Sequence, residues 1–189
     1  MNIGVLALQG AVSEHISCLK GAMEKLGIAE NISLVREKEE LGGLDGLIIP
    51  GGESTTHSLL LEKEGMVEGL GKIPKIFGTC AGAILISREI IGQANGQKSL
   101  GLIDMAISRN GYGRQLDSFQ SPIESSLGKL DGVFIRAPVI ERVGEKVEVL
   151  AEHRGKPVAV QQGKHVATTF HPELSGSTAF HEHFLRIDR

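Results

Sequence analysis

Cysteine, aromatic residues and long apolar runs are scarce in this sequence, and the scarcity of cysteine and of long apolar runs each excludes a class of protein. Only two cysteines occur among 189 residues, with no Trp and one Tyr. Two cysteines are too few for a disulfide scaffold and suit a reducing compartment. No apolar run approaches the roughly 20 residues of a membrane-spanning helix, and the first residues lack the basic region and cleavage site of a signal peptide. We therefore expect a cytoplasmic protein.

The balance of charge excludes two kinds of partner. Lys and Arg total 20 against 23 Asp and Glu, which gives a formal net charge of −3, so no basic surface for nucleic acid or for a membrane is expected. With 41% hydrophobic and 23% charged residues, the composition is that of a folded globular protein. The length predicts a single domain over residues 1–189. Glycine is abundant, at 25 residues, which indicates many tight turns.

The first half of the chain alternates between strand patterns and helix patterns. Short apolar runs predict buried strands, and apolar residues at helical spacing predict helices. The predicted strands are residues 3–8, 32–35, 46–49 and 75–77, and the predicted helices are residues 12–26, a helix capped by Ser54 or Thr55, and residues 81–91. This alternation predicts a parallel sheet with helices on both faces.

Beyond residue 100 the pattern changes to short strand-like runs separated by turn residues. These runs are residues 102–107, 133–135, 147–151, 158–160 and 166–170, and a closing helix follows over about residues 178–187. They predict a mixed, partly antiparallel extension of the same sheet. The predicted fold class is therefore α/β, a three-layer, mostly parallel open sheet with helices on both faces and a mixed extension.

Cys80 is the candidate nucleophile. It lies between a predicted strand and a predicted helix in Gly78-Thr79-Cys80-Ala81-Gly82, the cysteine form of the nucleophile elbow. Glycines lack a Cβ and let the backbone pack tightly on both sides of a sharp turn. The helix that starts at Ala81 places its positive end beside the sulfur, which favours the thiolate, and the Ala81 N–H is placed as an oxyanion donor. An inert buried cysteine is the alternative, and it is our interpretation of Cys18.

His171 is the candidate partner of the cysteine, because a leaving amide nitrogen must be protonated. Of seven histidines, it alone ends an apolar strand-like run and precedes Pro172-Glu173. Proline favours extended backbone before it, where residues i and i+2 point to one side, so Glu173 can orient the imidazole. We interpret His15 as a surface or interface group, and His181-Glu182-His183 as a solvated helical surface without the i,i+4 spacing of a zinc site.

A glycine-rich turn, Pro50-Gly51-Gly52-Glu53-Ser54, follows a predicted strand and opens a helix. It lacks the lysine of a phosphate-binding loop. The preferred interpretation is a second oxyanion donor, the N–H of Gly52, facing Cys80 from the neighbouring strand end. Both turns would then lie at the carboxyl ends of parallel strands, where open α/β sheets place their sites.

The glycine turn, the cysteine elbow and the His-Pro-Glu segment follow one another in this order along the chain. Together they resemble the motifs of the class I, or triad, glutamine amidotransferases. Over essentially the whole length, the chain is similar to the glutaminase subunits of the pyridoxal 5'-phosphate synthases of the ribose-5-phosphate-dependent pathway. The Leu8-Gln9-Gly10 start and the segment from Phe134 to Pro138 narrow the resemblance to this branch. The matching segments are residues 4–12, 50–56, 78–82, 109–110, 113–115, 117–119, 133–138 and 170–174.

The resemblance implies the hydrolysis of L-glutamine to L-glutamate. Cys80 attacks the side-chain amide, ammonia leaves, and water hydrolyses the resulting thioester, with His171 and Glu173 completing the triad. An arginine suits the α-carboxylate of glutamine and Glu53 suits its α-ammonium. By family likeness, the residues that contact glutamine are Gly52, Glu53, Ser54, Arg109, Ile135 and Arg136. Neither a cofactor nor a metal is expected.

The resemblance also implies a partner, because free ammonia is mostly protonated near neutral pH and is then useless as a nucleophile. The expected partner is a synthase subunit, in a hetero-oligomer, that builds pyridoxal 5'-phosphate (vitamin B6) from ribose 5-phosphate, glyceraldehyde 3-phosphate and this ammonia. We expect the Gln9-Gly10 loop and the first helix to face it. Two alternatives stay open: a triad glutaminase that serves a different acceptor synthase, and a non-hydrolytic reactive-cysteine protein of the same architecture.

Overall fold

A nine-stranded sheet forms the centre of the protein. The computed structural model describes residues 1–109, 111 and 118–187, so residues 110, 113–115 and 117 of the matching segments lie outside the described residues. Within this part of the chain the strands are β1 (Ile3–Leu6), β2 (Ile32–Val35), β3 (Gly46–Ile49), β4 (Ile76–Thr79), β5 (Ser87–Ile91), β6 (Ile103–Ser108), β7 (Ser118–Ser125), β8 (Gly128–Ile135), β9 (Val139–Val143), β10 (Glu148–His153), β11 (Lys156–Gln162) and β12 (His165–Thr168). The helices are α1 (Val12–Leu26), α2 (Ser54–Lys63), α3 (Val67–Leu70), α4 (Ala81–Ile86) and α5 (Ala179–Arg186), with short 3-10 helices at Lys38–Leu41 and Pro172–Leu174.

The large sheet is parallel at one side and antiparallel at the other. Its strand order is β2-β1-β3-β4-β12-β11-β10-β7-β8. Strands β2, β1, β3, β4 and β12 pair in parallel, whereas β12, β11, β10, β7 and β8 pair antiparallel. The predicted α/β fold with a mixed extension is confirmed.

A second sheet, in the order β5-β6-β9, is where two predictions were wrong. The helix predicted to run to Ile91 ends at Ile86, because Ser87–Ile91 pairs in parallel with β6. The predicted strand 102–107 belongs to this second sheet and not to the extension of the first. Strands β7 and β9 were not predicted; β7 contains Pro122 and mostly polar, partly exposed residues, so it has no apolar alternation to detect.

Two apolar cores lie on opposite faces of the large sheet. Side chains alternate along a strand, so Leu47 and Ile49 of β3 enter the core under α2 and α4, whereas Ile48 enters the core under α1 and α5. Helix α1 ends where predicted, at Gly27, which adopts a left-handed φ of 63°. Among the described residues, no helix combines the length and apolarity that crossing a bilayer requires.

Three adjacent parallel strands end at the same edge of the sheet. Strand β3 leads into the Gly51–Ser54 turn, β4 leads into Cys80, and β12 leads towards His171. The fold therefore brings segments that are far apart in sequence to one edge, the position where sheets of this type bind their ligands.

Candidate active site

Cys80 occupies the sharp turn between β4 and α4. Its φ of 49° and ψ of −102° are strained for a residue with a side chain, and such strain concentrates at functional sites. A Cβ on Gly78 would lie 2.5 Å from the carbonyl oxygen of Gly82, and a Cβ on Gly82 would overlap the carbonyl oxygen of Ile49. The tight elbow that the glycine spacing predicted is present.

His171 and Glu173 form a short buried hydrogen bond. His171 Nδ1 lies 2.7 Å from Glu173 Oε1, and the Glu173 side chain is 0% exposed. The predicted extended backbone is not what joins them: β12 ends at Thr168, and His171 instead caps the 3-10 helix Pro172–Leu174. Proline fits the first position of such a helix because its φ is already helical. The pairing is present, but a compact turn makes it.

The electrostatics around His171 favour the imidazolium. Burial alone would lower the pKa of His171, but hydrogen bonds and charge interactions with Cys80 and Glu173 raise it to about 10. The side chains of Cys80 and His171 both lie next to Gly51, since a Cβ added to Gly51 would lie 2.5 Å from His171 Cε1 and 3.3 Å from Cys80 Cβ. An imidazolium between a cysteine and a carboxylate stabilises a thiolate nucleophile.

The two predicted oxyanion donors belong to residues that line the same cavity as Cys80. Ala81 opens α4, so its N–H has no acceptor within the helix. Gly52 has a φ of 139°, which only glycine adopts readily. The side-chain amide of Gln9 fixes this turn by donating to the carbonyl oxygen of Glu53 at 2.8 Å. Both residues therefore border the same cavity as Cys80.

A cavity of about 710 Å³ opens beside Cys80. All the predicted site residues line it except Glu173, which lies buried behind His171. Arg136, directly after β8, has a φ of 44° and is a second strained non-glycine residue here. The carbonyl oxygen of Ile135 lies 3.8 Å from Cys80 Sγ. The cavity therefore has the candidate nucleophile and two arginines on its walls, and it has room for an amino acid.

Glu53 makes contacts that the sequence did not predict. The sequence predicted that Ser54 or Thr55 caps α2, but the cap is Glu53. Its carboxylate accepts hydrogen bonds from the N–H groups of Thr55 at 3.0 Å and Thr56 at 2.6 Å. Arg109 Nη2 lies 3.1 Å from its Oε1. Burial would raise the pKa of Glu53, but the bonds from Thr55 and Thr56 hold it at about 2. Glu53 therefore stays charged while it orders the helix start and Arg109.

Gln97 is a site residue that sequence reasoning missed. It is buried, donates to Ser54 Oγ at 3.1 Å and accepts from Arg109 Nη1 at 3.2 Å. It thereby holds two of the residues predicted to contact glutamine. It lies in a polar, glycine-containing turn that also contains Gln93, and no periodicity distinguishes one glutamine from the other.

The interpretation of His15 and His181 as surface groups was wrong, because both are 0% exposed. His15 Nε2 lies 3.5 Å from Glu173 Oε2, so the pair lies behind the candidate triad. A signal existed: His15 is three residues after Val12 and four before Leu19, on the apolar stripe of its helix. The polar character of histidine outweighed its position in that prediction.

The chain is similar to known proteins over nearly its whole length. The model of the SNO glutamine amidotransferase family matches residues 5–188. The chain is 44% identical to pyridoxal 5'-phosphate synthase subunit PdxT of Thermococcus onnurineus, over 98% of both chains. It is 47% identical to the protein of the same name from Oenococcus oeni, over 100% of this chain and 97% of the relative.

Solved structures show the same likeness. A crystal structure of a glutamine amidotransferase is 45% identical, has a TM-score of 0.87, and is matched over 99% of this chain and 98% of that one. A glutamine amidotransferase from Thermotoga maritima, 14% identical with a TM-score of 0.58 over 98% of this chain and 83% of that one, shares the fold.

Proposed function

This chain belongs to the SNO glutamine amidotransferase family, and we propose that it hydrolyses L-glutamine to L-glutamate and ammonia with Cys80, His171 and Glu173 as its catalytic triad. The observation that carries the proposal is the buried hydrogen bond between His171 and Glu173 behind a cysteine in a strained elbow, at the wall of a cavity of about 710 Å³.

Each residue of the triad has a distinct task. The Cys80 thiolate attacks the side-chain amide carbon of glutamine, and the N–H groups of Gly52 and Ala81 stabilise the oxyanion. The His171 imidazolium gives its proton to the leaving nitrogen, ammonia departs, and a thioester remains. Neutral His171 then takes a proton from water, the hydroxide adds to the thioester carbon, and the thiolate leaves as glutamate forms. Glu173 keeps Nδ1 protonated and the ring oriented.

We assign recognition of the α-carboxylate of glutamine to the arginines of the cavity. Arg109 is held between Glu53 and Gln97, so its guanidinium is oriented before substrate arrives and loses little freedom on binding. Ile135, the last residue of β8, and Arg136, which follows it, also line the cavity beside Cys80. Glu53 keeps the charge that an α-ammonium requires.

We further propose that the ammonia passes to a synthase subunit of a pyridoxal 5'-phosphate synthase, in a hetero-oligomer. The relatives with this domain carry the name of a subunit of that synthase. Ile135 and Leu174 are 39% and 40% exposed at the wall of the cavity, and apolar groups at such a position suit contact with another protein. Cytoplasmic location and a single domain over residues 1–189 stay predictions.

The test is glutamate production by the wild type and by Cys80→Ala, each with the synthase subunit present. We expect the wild type to release glutamate and Cys80→Ala to release none. Cys18→Ala, which removes a contact to the backbone carbonyl of Glu173 at 3.7 Å and no side-chain contact of the triad, should keep most of the activity. A glutamine-mimicking electrophile should label Cys80, and excess glutamine should block the label. Hydrolysis by Cys80→Ala, or labelling that glutamine does not block, would contradict the proposal and favour a non-hydrolytic cysteine.

A further inference from the structure

A chain of buried histidines extends from Glu173 away from the cavity. Glu173 Oε1 accepts the hydrogen bond of His171, and Glu173 Oε2 faces His15 Nε2 at 3.5 Å. The other ring nitrogen of His15, Nδ1, lies 3.0 Å from His181 Nε2. His15, His181 and the Glu173 side chain are all 0% exposed. Each oxygen of this carboxylate therefore has a histidine beside it.

Three elements that are distant in sequence converge here. His15 comes from α1, His181 from α5, and Thr79 from the end of β4, directly before Cys80. Thr79 Oγ1 lies 3.2 Å from His15 Nε2. Phe77 packs its ring against both histidines, with centroid separations of 6.4 Å to His15 and 5.6 Å to His181. In such apolar surroundings hydrogen bonds are stronger than in water.

Both supporting histidines are neutral at pH 7. Burial, with the charges of His181 and His171, lowers the pKa of His15 well below its ordinary value, and burial lowers the pKa of His181 to about 3. Cys18 also lies nearby, and burial and Glu173 raise its pKa, so it stays a thiol. The chain behind Glu173 therefore contains N–H dipoles and no positive charge.

The carboxylate determines which ring nitrogens carry the protons. A lone pair on His15 Nε2 would face the Glu173 carboxylate and repel it, so the proton belongs on Nε2, where Thr79 Oγ1 at 3.2 Å and Glu173 Oε2 at 3.5 Å are its two possible acceptors. His15 Nδ1 is then an acceptor, and His181 donates to it from Nε2. At 3.5 Å, His15 Nε2 and Glu173 Oε2 do not form a hydrogen bond in this structure, and Oε2 has no hydrogen-bond partner among the described residues. Catalytic hydrogen bonds are often long without substrate and shorten in the substrate complex.

We propose that His15 is a positioning residue, which donates from Nε2 to the second oxygen of Glu173, and that His181 sets the tautomer of His15 that makes this possible. The proposal rests on the proposed function, because it assigns His15 a task in that triad. Donors on both oxygens fix the plane of the carboxylate and therefore the direction of the His171 ring. Without His15, one buried carboxylate oxygen would face no donor.

Two substitutions separate positioning from packing. His15→Leu keeps a similar volume and has no donor, whereas His15→Gln can place an amide N–H near the position of Nε2. With the synthase subunit present, we expect His15→Leu to lower kcat roughly 10- to 100-fold with little change in KM, the range for losing a hydrogen bond to a charged group. The alkaline limb of its kcat profile should move to lower pH, because a less firmly held Glu173 contributes less to the raised pKa of His171.

The controls make the outcome decisive. His15→Gln should recover most of the activity, and His183→Leu, which removes the other histidine of α5 and does not line the cavity, should leave kcat and its pH profile unchanged. An unaltered profile in His15→Leu would overturn the proposal, as would equal losses in His15→Leu and His15→Gln.

Side-chain ¹⁵N NMR of the wild type provides a readout that needs no activity. We expect the Nε2–H tautomer at both His15 and His181, assigned by comparison with the His15 and His181 variants. Finding the proton on Nδ1 of His15 would overturn the proposal. A wild type without glutaminase activity would count against the proposed function, and the tautomers would still decide whether the hydrogen-bond chain exists.

Discussion

Replacing Gly51 with alanine should displace the imidazole of the triad while the fold survives. The backbone of Gly51 is outside the positive-φ region, so alanine can adopt it. The new Cβ would lie 2.5 Å from His171 Cε1 and 3.3 Å from Cys80 Cβ. Carbon atoms in contact prefer a separation of about 3.5–4.0 Å, so the ring must retreat by about 1 Å.

Moving the His171 ring changes its distances to Glu173 and to Cys80, on which the rate of the reaction depends. His171 is held by its 2.7 Å bond to Glu173, so a displaced ring either stretches that bond or turns away from Cys80. A misplacement of about 1 Å can cost about 100-fold in rate, and overpacking costs about 1–3 kcal/mol of stability. We therefore expect Gly51→Ala to lower kcat about 100-fold and to change KM less, because Arg109 is untouched.

The assay is steady-state glutamate production with the synthase subunit present, combined with thermal denaturation to verify folding. Gly71→Ala is the matched control: Gly71 has an ordinary helical φ of −64°, and an added Cβ would lie 3.7 Å from its nearest neighbour, the carbonyl oxygen of Glu68. It should leave kcat unchanged. A folded Gly51→Ala protein with kcat within about twofold of the wild type would refute the steric reasoning.

Two further substitutions test parts of the structure that the sequence did not reveal. Gln97→Leu removes the partner of Arg109 and Ser54, so KM for glutamine should rise roughly 10-fold with kcat little changed; an unaltered KM would show that neither contact matters. His57→Leu should raise the free energy of unfolding by about 1–3 kcal/mol, since neither ring nitrogen makes a well-formed hydrogen bond with a described residue. Burial lowers the pKa of His57 from 6.5 to about 4. As pH falls from 7 to 5, His57 is therefore protonated in the unfolded chain before it is protonated in the folded protein, and the wild type loses stability. Urea denaturation should show that the stability advantage of His57→Leu over the wild type grows between pH 7 and pH 5. An equal stability difference at both pH values would contradict this expectation.

The parallel half of the fold was predictable because its strands are covered on both faces. A strand covered on both faces has an uninterrupted apolar sequence, so Gly46–Ile49 was predicted with its observed bounds. Ile32–Val35 was also predicted with its observed bounds, although it contains Ser33 and lies at the edge of the sheet. Ser87–Ile91 was missed because its apolar residues also suit a continuing helix. Only its pairing with β6, a contact made elsewhere in the chain, decides for a strand.

The residues of the candidate site also differ in whether the local sequence reveals them. Cys80 and His171 have local signatures, glycines at fixed offsets and a following Pro-Glu, because the backbone geometry they need is local. His15 and Gln97 act through partners more than ten residues away, and a single sequence holds no record of such pairs. Helical spacing could have placed His15 inside the protein, but the identity of its neighbour depends on how α1 packs over β4 and the turn after β12.

The histidines behind the cavity show how one carboxylate divides a buried network into a charged side and a neutral side. Burial disfavours a positive charge on each of them, yet the pKa of His171 is raised to about 10 while that of His181 is lowered to about 3. The difference lies in contact: His171 faces both Cys80 and Glu173, whereas His181 reaches Glu173 only through His15. A charge on His15 would compete with His171 for the same carboxylate, so a neutral donor is the form of support that leaves the imidazolium where the leaving nitrogen needs it.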